Sequence, residues 1–401
     1  MKTDQRVRTR YVPRHTARGR ARPLRAKPPR VSGRRLQRAL VQATTAILLS
    51  AALAVAAIVR PQIIISACPS GLTSTGGGLT AVEGCPGPAA PALPPRPRAA
   101  VYAGPQYGFS GPSGIAAGPA RLWVSNVLGN SVTQLRSGTG KWAATLQASR
   151  YGFQGPEALA VGAGELWVAN VQANSVIEIN TSTGNLVRTM SGSAYGFDDP
   201  CALALAGHYL WVADARAASV TEIDTASGTP LRVLSGARYG FDDPYALAGS
   251  GDRVWVASAG DHSVTELGAA TGRLIRVISG RRYGLDDPGA LAASGGRVWI
   301  ADQVGDSITE INARTGALIA ILSGRSTGFA DPSAILAAGN LLWVASEAGQ
   351  SVTEIDVGTG MARTLSGPRY DFGSPAALAA SGQDIWVANL GADSVTELLP
   401  R

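Results

Sequence analysis

The sequence predicts an all-β fold: a seven-bladed β-propeller of four-stranded blades, closed by an N-terminal strand. Three observations predict it. Seven of the eight tryptophans (Trp123, Trp167, Trp211, Trp255, Trp299, Trp343 and Trp386) recur at five intervals of 44 residues and one of 43. Self-similarity at that period marks a solenoid, a propeller or an array. Each unit splits at turn signals into four short runs of strand character, which suits a propeller blade. The last unit stops after its third run, and the stretch before the first unit supplies a spare fourth.

In chain order, residues 1–38 come first, a basic tail with fourteen Lys or Arg against one acid, Asp4. A run of this kind has no apolar periodicity and is expected to be disordered and cytoplasmic. Residues 39–60 follow as a transmembrane helix. The twenty residues from Leu40 to Val59 carry no charge and are flanked by Arg38 and Arg60. Twenty helical residues reach about 30 Å, the thickness of the hydrocarbon layer. The basic flank stays in the cytoplasm by the positive-inside rule, so the propeller is expected outside, on a single-pass anchor. Two alternatives stay open. Ala54-Val55-Ala56 fits a cleaved signal peptide and hence a secreted protein. Ile65-Ser66-Ala67-Cys68 looks like a bacterial lipobox. Residues 61–98 form a Pro/Gly-rich linker, semi-rigid at its end, that would stand the propeller off the membrane. Cys68 and Cys85 lie in it and could pair in an oxidising compartment. Cys201, the third cysteine, is expected to be buried and inert.

Residues 99–401 are the propeller. In the second unit the runs are Glu157 to Val161, Glu165 to Asn170, Ser175 to Asn180 and Asn185 to Met190. They are rich in Val, Ile and Trp and bounded by Gly, Asn and Ser. The last two pair as a hairpin, which puts Glu178 across from Arg188. The same spacing gives Glu222 with Arg232 and Glu266 with Arg276, and one residue less gives Glu354 with Arg363. Unit one has Gln134 and Ala144 there, and unit five Glu310 with Ala320. Opposite charges across a strand pair add roughly 0.2–1 kcal/mol each, so these pairs read as structural. The seven tryptophans read as blade-to-blade packing, because a repeat cannot bury its faces alone. The stretch from Arg98 to Gly104 precedes Tyr107-Gly108-Phe109 as a fourth run precedes Tyr195-Gly196-Phe197. It is therefore expected to complete the seventh blade beside the last strand.

Trp167-Val168-Ala169-Asn170 and Trp386 to Asn389, each with the strand after it, resemble the YVTN-type propeller repeat. Pro156 to Ala160, Pro375 to Ala379 and Gly111 to Ala116 look like the corresponding segment of NHL repeats. The resemblance covers about 99–401. It implies the fold, and it leaves binding, sensing, structural and enzymatic roles open. Streptogramin lyases are a more distant, fold-level comparison, and that resemblance implies a histidine base working with a divalent metal.

Function is sought on the face where the blade-linking loops and the loops between second and third strands open. Asp198-Asp199, Asp242-Asp243, Asp286-Asp287 and Asp331 make the linking loops acidic on one side of the ring, and Asp214 and Asp302 belong to the second set. One reading is turn chemistry, since Asp before Pro initiates turns. The other is an acidic crescent for a cation, a cationic ligand or a basic partner. Ca²⁺ or another divalent ion would suit such oxygens, although no EF-hand spacing occurs. His262, beside Asp261, is the single catalytic candidate, with Glu347 two blades on. No nucleophile elbow, P-loop or zinc motif is present.

Charge is partitioned. Up to Arg98 there are 17 basic and 2 acidic residues, and beyond it 19 and 26. The propeller is thus acidic and makes no case for nucleic acid. The leading reading is a membrane-anchored, extracytoplasmic propeller that binds a protein, a cationic ligand or a cell-wall component. A lyase or hydrolase using His262 and a structural surface protein are the alternatives.

Overall fold

The computed structural model describes residue 93 and residues 95–324 and 327–399. The basic tail, the segment from Leu40 to Val59, Cys68, Cys85 and most of the linker lie outside the described residues. Among the described residues no helix is long and apolar enough to cross a membrane.

Seven four-stranded antiparallel sheets make the ring. In blade two the strands are Pro156–Gly162, Glu165–Asn170, Ser175–Asn180 and Leu186–Ser191. The middle two match expectation. The first is longer at both ends because Pro156 already pairs with Asn170 and Gly162 with Glu165. The fourth starts one residue later. Asn185 belongs to the turn, its carbonyl accepting from the Asn180 N–H at 2.9 Å.

The ring closes as expected. Arg98–Ala103 is the outer strand of blade seven and runs antiparallel to Ser394–Leu399, with Arg98 opposite Leu399 and Ala103 opposite Ser394. Strand pairing therefore begins at Arg98, one residue before the expected domain boundary. Closure joins first and last blades and leaves no unfilled junction.

Seven apolar clusters hold the ring, one per junction, and each is built on the tryptophan of one blade and the strands of the next. Trp255 packs with Leu291, Val298, Ile300 and Ile311 of blade five. Trp386 packs with Phe109, Ile115, Leu122 and Val124 of blade one. All seven indoles are at most 5% exposed.

The Glu–Arg pairs fall opposite each other in all four blades where the sequence places them. Arg188–Glu178 closes at 2.9 Å, Arg232–Glu222 at 2.5 Å and Arg276–Glu266 at 2.7 Å, and Arg363 pairs with Glu354. The exceptions find other partners. Glu310, which faces Ala320, pairs with Arg297 from the second strand. Gln134 accepts from Arg121 at 2.7 Å. Glu397 faces Ala100 and accepts instead from the Tyr102 hydroxyl at 2.7 Å. Glu266 holds two arginines, Arg253 at 2.9 Å as well as Arg276.

Helical turns that strand periodicity does not announce lie at several blade links, at Ala148–Tyr151, Ala237–Tyr239 and Arg281–Tyr283. They place a tyrosine whose hydroxyl can reach the outer turn of the following blade. Tyr151 donates to the Gly184 carbonyl at 2.6 Å and Tyr283 to Gly316 at 3.0 Å.

Candidate functional site at the channel mouth

The two loop sets do share a face, because they are hydrogen-bonded to each other. Ala215 N–H donates to the Asp199 carbonyl at 3.1 Å, Ala259 to Asp243 at 3.0 Å, Gln303 to Asp287 at 3.0 Å and Glu347 to Asp331 at 2.9 Å. His208 lies on the other face, where its carbonyl accepts from Thr225 N–H of an outer turn.

The aspartates on this face occupy three structural stations. The first Asp of each pair turns outward: Asp242 and Asp286 are exposed and Asp198 is half-buried, 3.3 Å from Arg216. The second sits before Pro in a linking loop. Asp199 (φ 74°), Asp243 (56°) and Asp331 (56°) adopt left-handed backbone there, where blades one and two carry Gly111 and Gly155. Asp tolerates that region better than most residues, so glycine and aspartate answer one backbone demand. Asp287 is buried without this φ. Asp199 is 2% exposed, and neither of its carboxylate oxygens has a hydrogen-bond partner. Burial lifts its pKa to about 6, Arg216 opposing and Asp198 and Asp243 adding to the rise.

Asp214 and Asp302 end the second strands of blades three and five and are fully buried. Asp302 accepts from the backbone N–H groups of Asp286, Asp287 and Gly305, the last at 2.7 Å. Asn170 holds this station in blade two and accepts from Gln154 N–H at 2.8 Å. Both carboxylates therefore brace a linking loop. Burial raises the pKa of each, that of Asp214 to about 8.

His262 is in the left-handed region (φ 50°) at the end of a second-to-third-strand loop. In four other blades this station holds an Asn or Asp that accepts from the next blade's linking loop: Asn130 from Gly155, Asn174 from Asp199, Asp306 from Asp331 and Asp393 from Gly111. His262 instead has its Nδ1 4.0 Å from an oxygen of Asp286, both side chains more than half exposed. Among the described residues no group of three or more His, Cys, Asp or Glu side chains is placed to hold a metal ion. Among the described residues there is thus no such cluster for the divalent ion that a lyase resemblance implies.

A different ring lies on the axis of the propeller. The innermost strands line an axial cavity of ≈ 220 Å³. After the proline that starts each of these strands stand Ser113, Glu157, Cys201, Tyr245, Gly289, Ser333 and Ala376, all lining the cavity. Beneath them the wall is uniform: Ile115, Leu159, Leu203, Leu247, Leu291, Ile335 and Leu378. Glu157 and Tyr245 are buried. Ser333 Oγ donates to the Pro375 carbonyl at 2.6 Å, and Cys201 Sγ to Pro244 at 3.4 Å. Burial pushes the Cys201 thiol well above its usual pKa, with Glu157, Asp199, Asp214 and Asp243 adding to the rise. It stays protonated, as expected of an inert buried cysteine. A Cβ on Gly289 would come 2.6 Å from Gln303 Cδ, so the missing side chain makes room for Gln303.

No protein-family model matches the sequence, and no curated protein does. Solved structures do match. A streptogramin B lyase superposes with a TM-score of 0.64 at 16% identity, over 76% of this chain and 98% of its own. A catalytically inactive virginiamycin B lyase from Staphylococcus aureus, solved with quinupristin, gives 0.64 at 16% identity, over 76% and 99%. In fold, the chain is similar to the streptogramin B lyases. The likeness stops at fold, since the WD40 repeats of RRP9 match nearly as well, with a TM-score of 0.62 at 15% identity over 77% and 100%. Propellers of one shape serve unrelated ends.

Proposed function

We propose that this protein is a membrane-anchored, extracytoplasmic binding module whose ligand enters the channel mouth. The observation that carries this is the ring after the proline. Packing stations repeat from blade to blade, Trp against Trp and Leu against Ile. The station that faces the cavity carries six residue types in seven blades, including a carboxylate, a phenol and a thiol. A scaffold needs no such divergence, whereas a pocket with a few placed polar groups on an apolar wall is what small-molecule recognition uses. Outward Asp198, Asp242 and Asp286 rim the same face and favour a ligand or partner with positive charge. The anchor rests on the uncharged run from Leu40 to Val59 and its basic flank.

The test screens amines, amino acids and cell-wall fragments against the full chain by thermal shift and ligand-observed NMR. Bound compounds are expected to lose affinity in Glu157→Gln or Tyr245→Phe, both at residues that line the cavity. Hits indifferent to both changes, or no hit at all, would remove the channel mouth as the site. Labelling Cys68 or Cys85 from outside intact cells, before and after treatment with a membrane-impermeant reductant, tests the topology, and protection of both after reduction would refute an outward-facing propeller.

A further inference from the structure

The rim of the ring is made of edge strands, each hydrogen-bonded on one side only. Unpaired edges invite another strand, and charge at mid-strand is a common way to discourage it. Four outer strands carry such a charge: Arg188, Arg232, Arg276 and Arg363, each paired with a buried glutamate. In blade five the outer strand is Leu318–Ser323, and Ala320 stands at that place. Leu318, Ile319 and Ile321 are 37%, 47% and 40% exposed. Residues 318 to 322 read Leu-Ile-Ala-Ile-Leu, the same in both directions.

We propose that this strand pairs antiparallel with the same strand of a second copy, about a two-fold axis through Ala320. Leu318 then lies opposite the partner's Leu322, and Ile319 opposite the partner's Ile321. The axis itself falls on the smallest side chain of the strand. The two four-stranded blades become one eight-stranded sheet, with the Ile rows on one face and the Leu rows on the other. Self-complementarity identifies the occupant. A two-fold interface must fit its own copy, whereas a foreign strand would demand no palindrome. Blade four shows what blocks the pairing: its outer strand, Leu274–Ser279, reads LIRVIS and would set Arg276 against its own copy on the axis. The outer strand of blade one, Trp142–Gln147, also lacks charge but is not palindromic, and its Trp142 Nε1 donates to Thr145 at 3.0 Å.

Sedimentation of the full chain across a concentration series tests this. The parent is expected to show a monomer–dimer equilibrium. Ala320→Arg is the decisive variant because the fold already accommodates it. Glu266 in blade four holds Arg253 and Arg276 together, and Glu310 with Arg297 would receive the new arginine in the same way. Melting temperature should hold or rise while the dimer dissociation constant increases roughly tenfold or more through like charges facing across the axis. Val233→Arg, on the rim of blade three, serves as a control that should leave the equilibrium unchanged. A parent monomeric at every concentration, or a dimer indifferent to Ala320→Arg, would overturn the proposal.

Discussion

Replacing Asp214 by Asn should stabilise the protein at neutral pH. The Thr221 hydroxyl has one proton and gives it to the Tyr195 carbonyl at 2.8 Å, yet its oxygen also lies 3.4 Å from an oxygen of Asp214. A donor at position 214 would complement that hydroxyl oxygen, whereas a carboxylate competes with the Tyr195 carbonyl for its one proton. Asn126 and Asn389 supply such a donor at the same station, giving Nδ2–H to Thr133 and Thr396 at 3.0 Å each. An ionised Asp214 cannot, and it is fully buried as well. Burial is the main reason its pKa stands at about 8. The unfolded value is about 3.9, so folding at pH 7 takes up close to one proton across roughly three pH units. At ~1.4 kcal/mol per unit this costs on the order of 4 kcal/mol. Because the folded pKa is the raised one, the contribution to stability is complete below about pH 4 and is lost as pH rises through 8. Asn escapes that loss, and Asp214→Asn should gain about 2–4 kcal/mol at pH 7 and close to nothing at pH 4. Urea unfolding of both proteins from pH 4 to 8 measures the difference. A gain independent of pH, or a loss at pH 7, would refute the reasoning.

Asp302→Asn should cost about 1 kcal/mol at pH 4, because Asn leaves one oxygen where two accept from three backbone N–H groups, and the cost should shrink toward pH 7 because burial raises the Asp302 pKa in the folded state; the same urea series reads it. Tyr102→Phe removes the hydrogen bond to Glu397 that holds the N-terminal strand while keeping the ring stacked 5.6 Å from Trp386. It should cost about 1–2 kcal/mol, whereas Tyr102→Ala should cost more, and equal losses in calorimetry would mean that stacking contributes nothing to closure. Cys201 should resist thiol reagents in the folded protein and react on denaturation, as mass spectrometry can show; rapid labelling under native conditions would contradict its burial and raised pKa.

Closure and the Glu–Arg registers were legible because the repeat poses each structural question seven times. One hairpin suggests that Glu178 faces Arg188, and four at nearly the same spacing leave little room for another register. The exceptions were equally visible, and the structure shows the same glutamate station satisfied from a different direction. What stayed hidden depends on contacts between loops. Asp214 and Asp302 look equivalent in sequence, yet one accepts from the Asp198 N–H beside the Thr221 hydroxyl and the other from three N–H groups. Only these partners separate them. The ring at the channel mouth was hidden for a further reason. In the linear chain Glu157, Cys201, Tyr245 and Gly289 differ at one aligned slot, which alone suggests tolerance. Closure turns tolerance into adjacency: Ala376 of the last blade packs with Val127 of the first, and seven residues of six kinds line one cavity. Divergence at a fully exposed slot would mean little, but these residues are buried around the cavity, so their variety has to be accommodated by packing. The places where the copies disagree under burial are therefore the places where a repeat protein of this kind has room for a specific function.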